Sequence, residues 1–241
     1  MKKLTTVLAL GAVMAFVSST SKASIVGSGH DFTSTGGYSA VTNLGVATFT
    51  WGGETNKYQN PCQVCHIPHK AQDPTVSHAP LWNHALSGNT YLTYDKAGSA
   101  TFNALNLSVS LGSSVACLSC HDGSVAINET AGYTGKGATN GNAGAAVFAP
   151  SFAVEAIGGT DLTKMHPIGV SYTAAATPTV DPDLNPISGT LMPRMLQGPT
   201  KTVECASCHD IHRTIGASAS ISHELIVDLN GGQLCLTCHN K

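Results

Sequence analysis

Residues 61–69 read "PCQVCHIPH": two cysteines three apart, a histidine directly after the second, and another histidine three positions on. A cysteine pair of this spacing serves a disulfide, a redox couple or half a zinc site, and the adjoining histidine is what discriminates. The unit recurs as "CLSCH" at 117–121, "CASCH" at 205–209 and "CLTCH" at 235–239, so all eight cysteines fall into four C-x-x-C-H units. With 11 histidines in 241 residues, chance puts one after a given pair about once in twenty, and four times in four of order once in a hundred thousand. Tetrathiolate zinc gives no reason for those histidines, and a disulfide scaffold has no use for them. The pattern is the c-type haem attachment signature. Cys62 and Cys65, Cys117 and Cys120, Cys205 and Cys208, and Cys235 and Cys238 would bind the haem vinyl groups, with His66, His121, His209 and His239 as proximal iron ligands. The expected cofactors are four c-type haems.

The N-terminus "MKKLTTVLALGAVMAFVSSTSKA" sets Lys2 and Lys3 before an apolar run from Leu4 to Val17 and closes on Ser21, Lys22, Ala23. This is the pattern of a secretory signal peptide over 1–23. The run is shorter than the ~20 residues that cross a bilayer, so no membrane span is expected. Export agrees with c-type haem maturation, which takes place outside the bacterial cytoplasm. The expected location is secreted, extracellular or cell surface, with the periplasm as the alternative. Cleavage removes three lysines and no acid, leaving 9 basic against 14 acidic residues. Two propionates on each haem would take the formal charge from −5 to about −13, less what burial or protonation neutralises. That sign argues against nucleic acid as a partner. No lysine cluster is present to steer docking onto a soluble redox partner.

Removing 23 of 241 residues leaves 218 for four haems, too few to wrap each in its own domain. With 25 glycines and 11 prolines, and no amphipathic helical pattern sustained beyond a few turns, the chain reads as mostly irregular coil. Few short helices are expected, at the C-x-x-C-H units, with minimal strand, one candidate being "VATFTW" at 46–51. There is no conventional hydrophobic core to expect: the fold should be organised by the haems and should not form without them. Histidines reveal an internal repeat. His30, a C-x-x-C-H-x-x-H unit ending at His69 and a C-x-x-C-H unit ending at His121 are matched by His166, a unit ending at His212 and one ending at His239. This gives two two-haem halves, 24–145 and 146–241, joined through the low-complexity stretch "TGKGATNGNAGAA" at 134–146.

Seven histidines lie outside the attachment units, and only four distal ligands are needed. His69 and His212 share the H-x-x-H spacing, while His30 and His166 open the two halves. These four are the distal candidates. His84 in "PLWNH" and His223 in "ISHELI" hold comparable places in the halves and stand in reserve; His78 reads as a surface residue. Met165, Met192 and Met195 are the methionine alternatives, which a bis-histidine set would leave unused. An H-x-x-H histidine cannot serve its own haem, whose near side is already taken. For His212 the natural target is the preceding haem, that of His121; His69 has no preceding haem in the chain.

The ordered motifs "GHDF", "CQVCHIPH", "PLWNH", "CLSCHDGSVA", "HPIG", "CASCHDIH" and "LCLTCH" resemble the extracellular multihaem cytochromes of metal-reducing bacteria, in particular the tetrahaem OmcE-like cytochromes that polymerise into nanowire filaments. The resemblance runs over nearly the whole mature chain. It implies protomers that are nearly all coil, haems in one continuous chain, and a histidine of one protomer ligating a haem of the next. By position that histidine is His69, acting on the His239 haem of an identical protomer in a head-to-tail filament, with His30 and His166 serving the first and third haems. A head-to-tail contact that does not close generates an open helical filament.

The expected function is therefore electron transfer along closely packed bis-histidine haems to redox partner proteins or an extracellular metal oxide. A monomeric periplasmic shuttle is the alternative. An enzyme such as a multihaem nitrite reductase needs an iron with an open position, and the surplus of histidines argues against one, so no catalytic residue is assigned.

Overall fold

Each attachment unit folds as a single helical turn, because an i→i+4 hydrogen bond brings the histidine back over the first cysteine. His66 donates its backbone N–H to the Cys62 carbonyl at 2.8 Å, His209 to Cys205 at 3.0 Å and His239 to Cys235 at 2.8 Å. In the second unit the turn extends into helix α1, Ser114–His121. The computed structural model describes residues 25, 28, 30, 61–69, 71, 79–94, 102–103, 111–125, 130, 159–212 and 224–241. The signal peptide, the candidate strand at 46–51, the linker at 134–146, His78 and His223 lie outside the described residues.

Regular structure among the described residues is sparse, as the coil reading expects. Helices α2 (Tyr172–Ala175), α3 (Met192–Met195) and α4 (Gln233–Cys238) follow α1. Short 3-10 turns occupy Leu162–Lys164, Cys205–Ser207 and Asn230–Gly232. Strands β1 (Val170–Ser171) and β2 (Thr202–Val203) form one antiparallel pair, Val170 opposite Val203. Helix α1 stops where Gly123 takes φ 73° and donates to the Cys120 carbonyl, a left-handed stop that glycine adopts without a Cβ penalty.

Three of the four units carry the same clip. His66 bridges Trp82, with Ile67 N–H to Leu81 O and Asn83 N–H to Cys65 O, both at 2.9 Å. His209 bridges Leu225, with Asp210 N–H to Glu224 O at 2.8 Å and Ile226 N–H to Cys208 O at 2.9 Å. His239 bridges Leu184, with Asn240 N–H to Asp183 O and Asn185 N–H to Cys238 O, both at 2.8 Å. Between the two halves the match extends to the backbone: Leu81 and Glu224, at the same position of the clip, hold φ of 58° and 55°. These are left-handed values that side chains other than glycine seldom adopt. The register aligns Trp82 with Leu225 and hence His84 with Val227, so His84 and His223 are not equivalent as their neighbourhoods in the sequence suggest.

Apolar packing is divided among small clusters. One joins Ala79, Trp82 and Ala116 with Cys65; a second joins Leu118, Leu162 and Ile168 with Cys205; a third joins Tyr172, Met192 and Leu196 with Cys238. An attachment cysteine sits at the margin of these three, whereas a fourth, Val170 and Ala175 with Phe102, Val180 and Leu184, has none. Met192 and Met195 are buried, and Met165 packs against the Leu118 cluster. The two halves are tied together by Leu92, which accepts from Leu162 N–H and donates to Thr160 O. Among the described residues no helix is long and apolar enough to cross a membrane.

Candidate functional site

Helical spacing puts Cys117, Cys120 and His121 on neighbouring positions of one side of α1, three and four residues apart. The turns at the other units do the same for their own three residues. All eight cysteines are free of disulfides. They are also placed in sequence order. The Cys117 thiol donates to Cys205, a contact that with burial raises its pKa well above the usual thiol value. Burial pushes Cys120 up to about 12, and the neighbouring Cys65 adds to the rise. Burial likewise raises Cys208 to about 11, with Cys238 contributing next. The second unit therefore meets the third, and the first lies near the second and the third near the fourth.

Around these turns the histidine rings fall into pairs. His30 and His121 have ring centres 6.0 Å apart with planes at 53°; His66 and His212 are 6.2 Å apart at 25°; His166 and His239 are 6.1 Å apart at 73°. Two imidazoles on opposite sides of one metal, each nitrogen about 2 Å from it and each ring centre roughly 1.1 Å beyond, stand about 6 Å apart. Distance alone is not diagnostic, because Trp82 lies 6.1 Å from His66 as an ordinary edge contact. The distinguishing feature is membership: every pair joins one attachment-unit histidine to one of the distal candidates.

The pairing differs from the one expected from chain order. His212 stands across from His66 and not from His121, His30 across from His121 and not from the first unit, and His166 across from His239 and not from the third. The reason is that the chain folds back: the Leu92 tie and the Ser114–Glu204 hydrogen bonds bring residues of the second half against the first. His69 is exposed and has no ring, hydrogen-bond or ionic partner among the described residues.

The polar contacts of the rings, hydrogen bonds at His66 and His166 and an ion-pair distance at His30, suit metal ligation, which needs one nitrogen bare and the other committed. His66 Nδ1 lies 2.8 Å from the Pro80 carbonyl and His166 Nδ1 3.0 Å from that of Pro167. His30 Nδ1 lies 2.7 Å from Glu224 Oε2. Burial pushes His121 down to about 4, with His30 and His209 contributing next, so its imidazole is neutral at physiological pH. His84 differs. It is buried, its Nδ1 is 3.1 Å from Ser119 Oγ and its Nε2 is 3.5 Å from Cys120 Sγ, which makes it a packing partner of α1.

The residues fit a haem on a further ground. Trp82 Nε1, Ser113 Oγ and Thr130 Oγ1 are buried without a hydrogen-bond partner among the described residues. Carboxylates on a macrocycle edge are the kind of group that would satisfy them. Among the described residues no three His, Cys, Asp or Glu side chains converge on a metal-only site; an axially ligated haem iron takes two.

Three acids beside the units are functional neighbours that the sequence reading does not include. Asp122 follows His121, Glu204 precedes Cys205 and Glu224 sits in the third clip. Adjacency to a motif is a signal for the first two; nothing local marks Glu224. Glu204 is buried and accepts from both the backbone N–H (3.2 Å) and the hydroxyl of Ser114, while Ser114 Oγ accepts from Cys205 N–H at 3.0 Å. This network pins the third unit to the start of α1. No family model, curated protein or solved structure matches the chain.

Proposed function

We propose that the chain is an exported tetrahaem c-type cytochrome that passes electrons along four closely packed bis-histidine haems and polymerises into an extracellular filament. The observation that carries this reading is the set of three ring pairs, each joining an attachment-unit histidine to a distal candidate at 6.0–6.2 Å. When bound, each haem iron accepts and releases one electron between its ferric and ferrous states. The cysteines of each unit hold the cofactor covalently, and the clips fix the histidines. The Cys117–Cys205 contact, and the electrostatic proximity of Cys65 to Cys120 and of Cys208 to Cys238, support an electron path in chain order. Two imidazoles per iron leave no position for substrate, so the reading assigns no catalytic residue.

The filament part rests on the sequence resemblance and on His69. The repeat puts His69 where His212 stands in the second half, and His212 faces the unit two places back along the chain. Two places back from the first unit of a head-to-tail array is the third unit of the adjoining protomer. His166 already faces His239 within the protomer, so the His239 haem expected from chain order gives way to that one. The intact mass of the secreted protein should equal the 24–241 polypeptide plus four haems, with low-spin spectra at every iron. A mass without haem sinks the cytochrome reading. Four haems with only monomers in negative stain would leave the periplasmic shuttle as the function.

A further inference from the structure

His30 differs from His66 and His166 in its Nδ1 neighbour. The carbonyls of Pro80 and Pro167 that serve His66 and His166 are neutral, whereas His30 lies 2.7 Å from a carboxylate. That carboxylate belongs to Glu224, whose side chain is 11 % exposed against 30 % for His30, so the contact is shielded from water. The position is not dictated by backbone geometry. The first half sets Leu81 at the same place of the clip with the same left-handed φ, and Leu81 points to solvent at 49 % exposure. Only the second half carries a charge there.

We propose that Glu224 is a positioning residue for the second haem: its carboxylate, 2.7 Å from His30 Nδ1, favours the tautomer with the proton on that nitrogen, leaves Nε2 bare for iron, and holds that haem at a lower potential than those whose histidines face carbonyls. This rests on the tetrahaem reading above. A carboxylate acceptor makes the ligating nitrogen more basic and favours ferric over ferrous iron. A carbonyl does so less. Because Glu224 sits on the clip of the third unit and His30 and His121 belong to the second haem, the same residue couples the geometry of two neighbouring haems.

The test uses the full secreted tetrahaem protein and its Glu224→Gln variant, which keeps size and an acceptor oxygen but removes the charge. Intact mass is read first; absence of four haems in the unaltered protein overturns the underlying reading and not the role of Glu224 alone. With four haems present, spectropotentiometric titration should show one of the four one-electron steps moving upward in the variant, and low-spin electron paramagnetic resonance should show one altered signal. Four unmoved steps overturn the proposal. A second measurement needs no variant: near-infrared magnetic circular dichroism of the unaltered ferric protein should give one haem with the band of a stronger axial donor, and four indistinguishable bands would overturn the proposal even if Glu224→Gln fails to fold.

Discussion

Asp122 shows how one residue finishes an attachment unit. It follows His121 at the end of α1, where its Oδ2 accepts from Tyr91 Oη at 2.7 Å and Asn89 Nδ2 at 3.0 Å, and its Oδ1 from the backbone and hydroxyl of Ser124. Burial would push its pKa up, but hydrogen bonds from Ser87, Tyr91 and Ser124 prevail and hold it at about 2, below the ordinary value of 3.8. A carboxyl lowered in the folded state contributes stability that is fully present above the unfolded value and lost as pH falls through the folded one. Acid unfolding should therefore include an Asp122 component between about pH 4 and 2, and Asp122→Asn should flatten that part of a circular dichroism titration. Asp122→Ala should cost about 2 kcal/mol at neutral pH, since Tyr91 and Ser124 lose a charged acceptor, read as a lower thermal midpoint of the holoprotein. At this scale the sequence is most legible. The C-x-x-C-H units are five-residue patterns visible in the chain itself, whereas Glu224 meets the His30 ring from a distant stretch of chain and leaves no local trace.

Elements were legible where chemistry imposed them. Short helices expected at the units are present as α1 and α4, and as single turns at the first and third. The pair β1 and β2 was not foreseen, because two-residue strands carry no periodic pattern and Val170 and Val203 are set by tertiary register. The junction of α1 with the third unit makes a prediction. Glu204 fits there because Gly112, at φ 24°, has no side chain: a Cβ would fall 2.5 Å from Glu204 Oε1. Gly112→Ala should displace the carboxylate, and Glu204→Ala should strand the Ser114 N–H inside the protein. Each should cost about 2–3 kcal/mol, measured by thermal melting of the four-haem protein, with Glu204→Gln milder. Melting unchanged in both variants would show that the network does not hold the two units together.

For the whole molecule the expected lack of a single core is consistent with the described residues, which pack in small clusters, three of them with a cysteine at the edge. Which distal histidine meets which unit was not legible, because that depends on how the halves fold back, and spacing along the chain carries no such information. Replacing Cys117 and Cys120 with Ala should leave a chain that is rapidly proteolysed, since apolar burial in such clusters falls short of the entropy of ordering the coil. His69→Ala should be exported with four haems but show one high-spin iron and no filaments. His212→Ala should open the first haem within the protomer and leave polymerisation less affected. Filaments with four low-spin irons in the His69 variant would remove the bridge.

The clips have a consequence for speed. A histidine whose backbone is hydrogen-bonded on both flanks has little freedom to shift when the charge beside it changes, and a preorganised site has little rearrangement left to perform at the moment of transfer. Under the proposed function, the first, third and fourth units are built for hopping with small structural relaxation. The second, closed by a helix end and the Asp122 cap in place of a clip, is where the slowest step of the relay would fall.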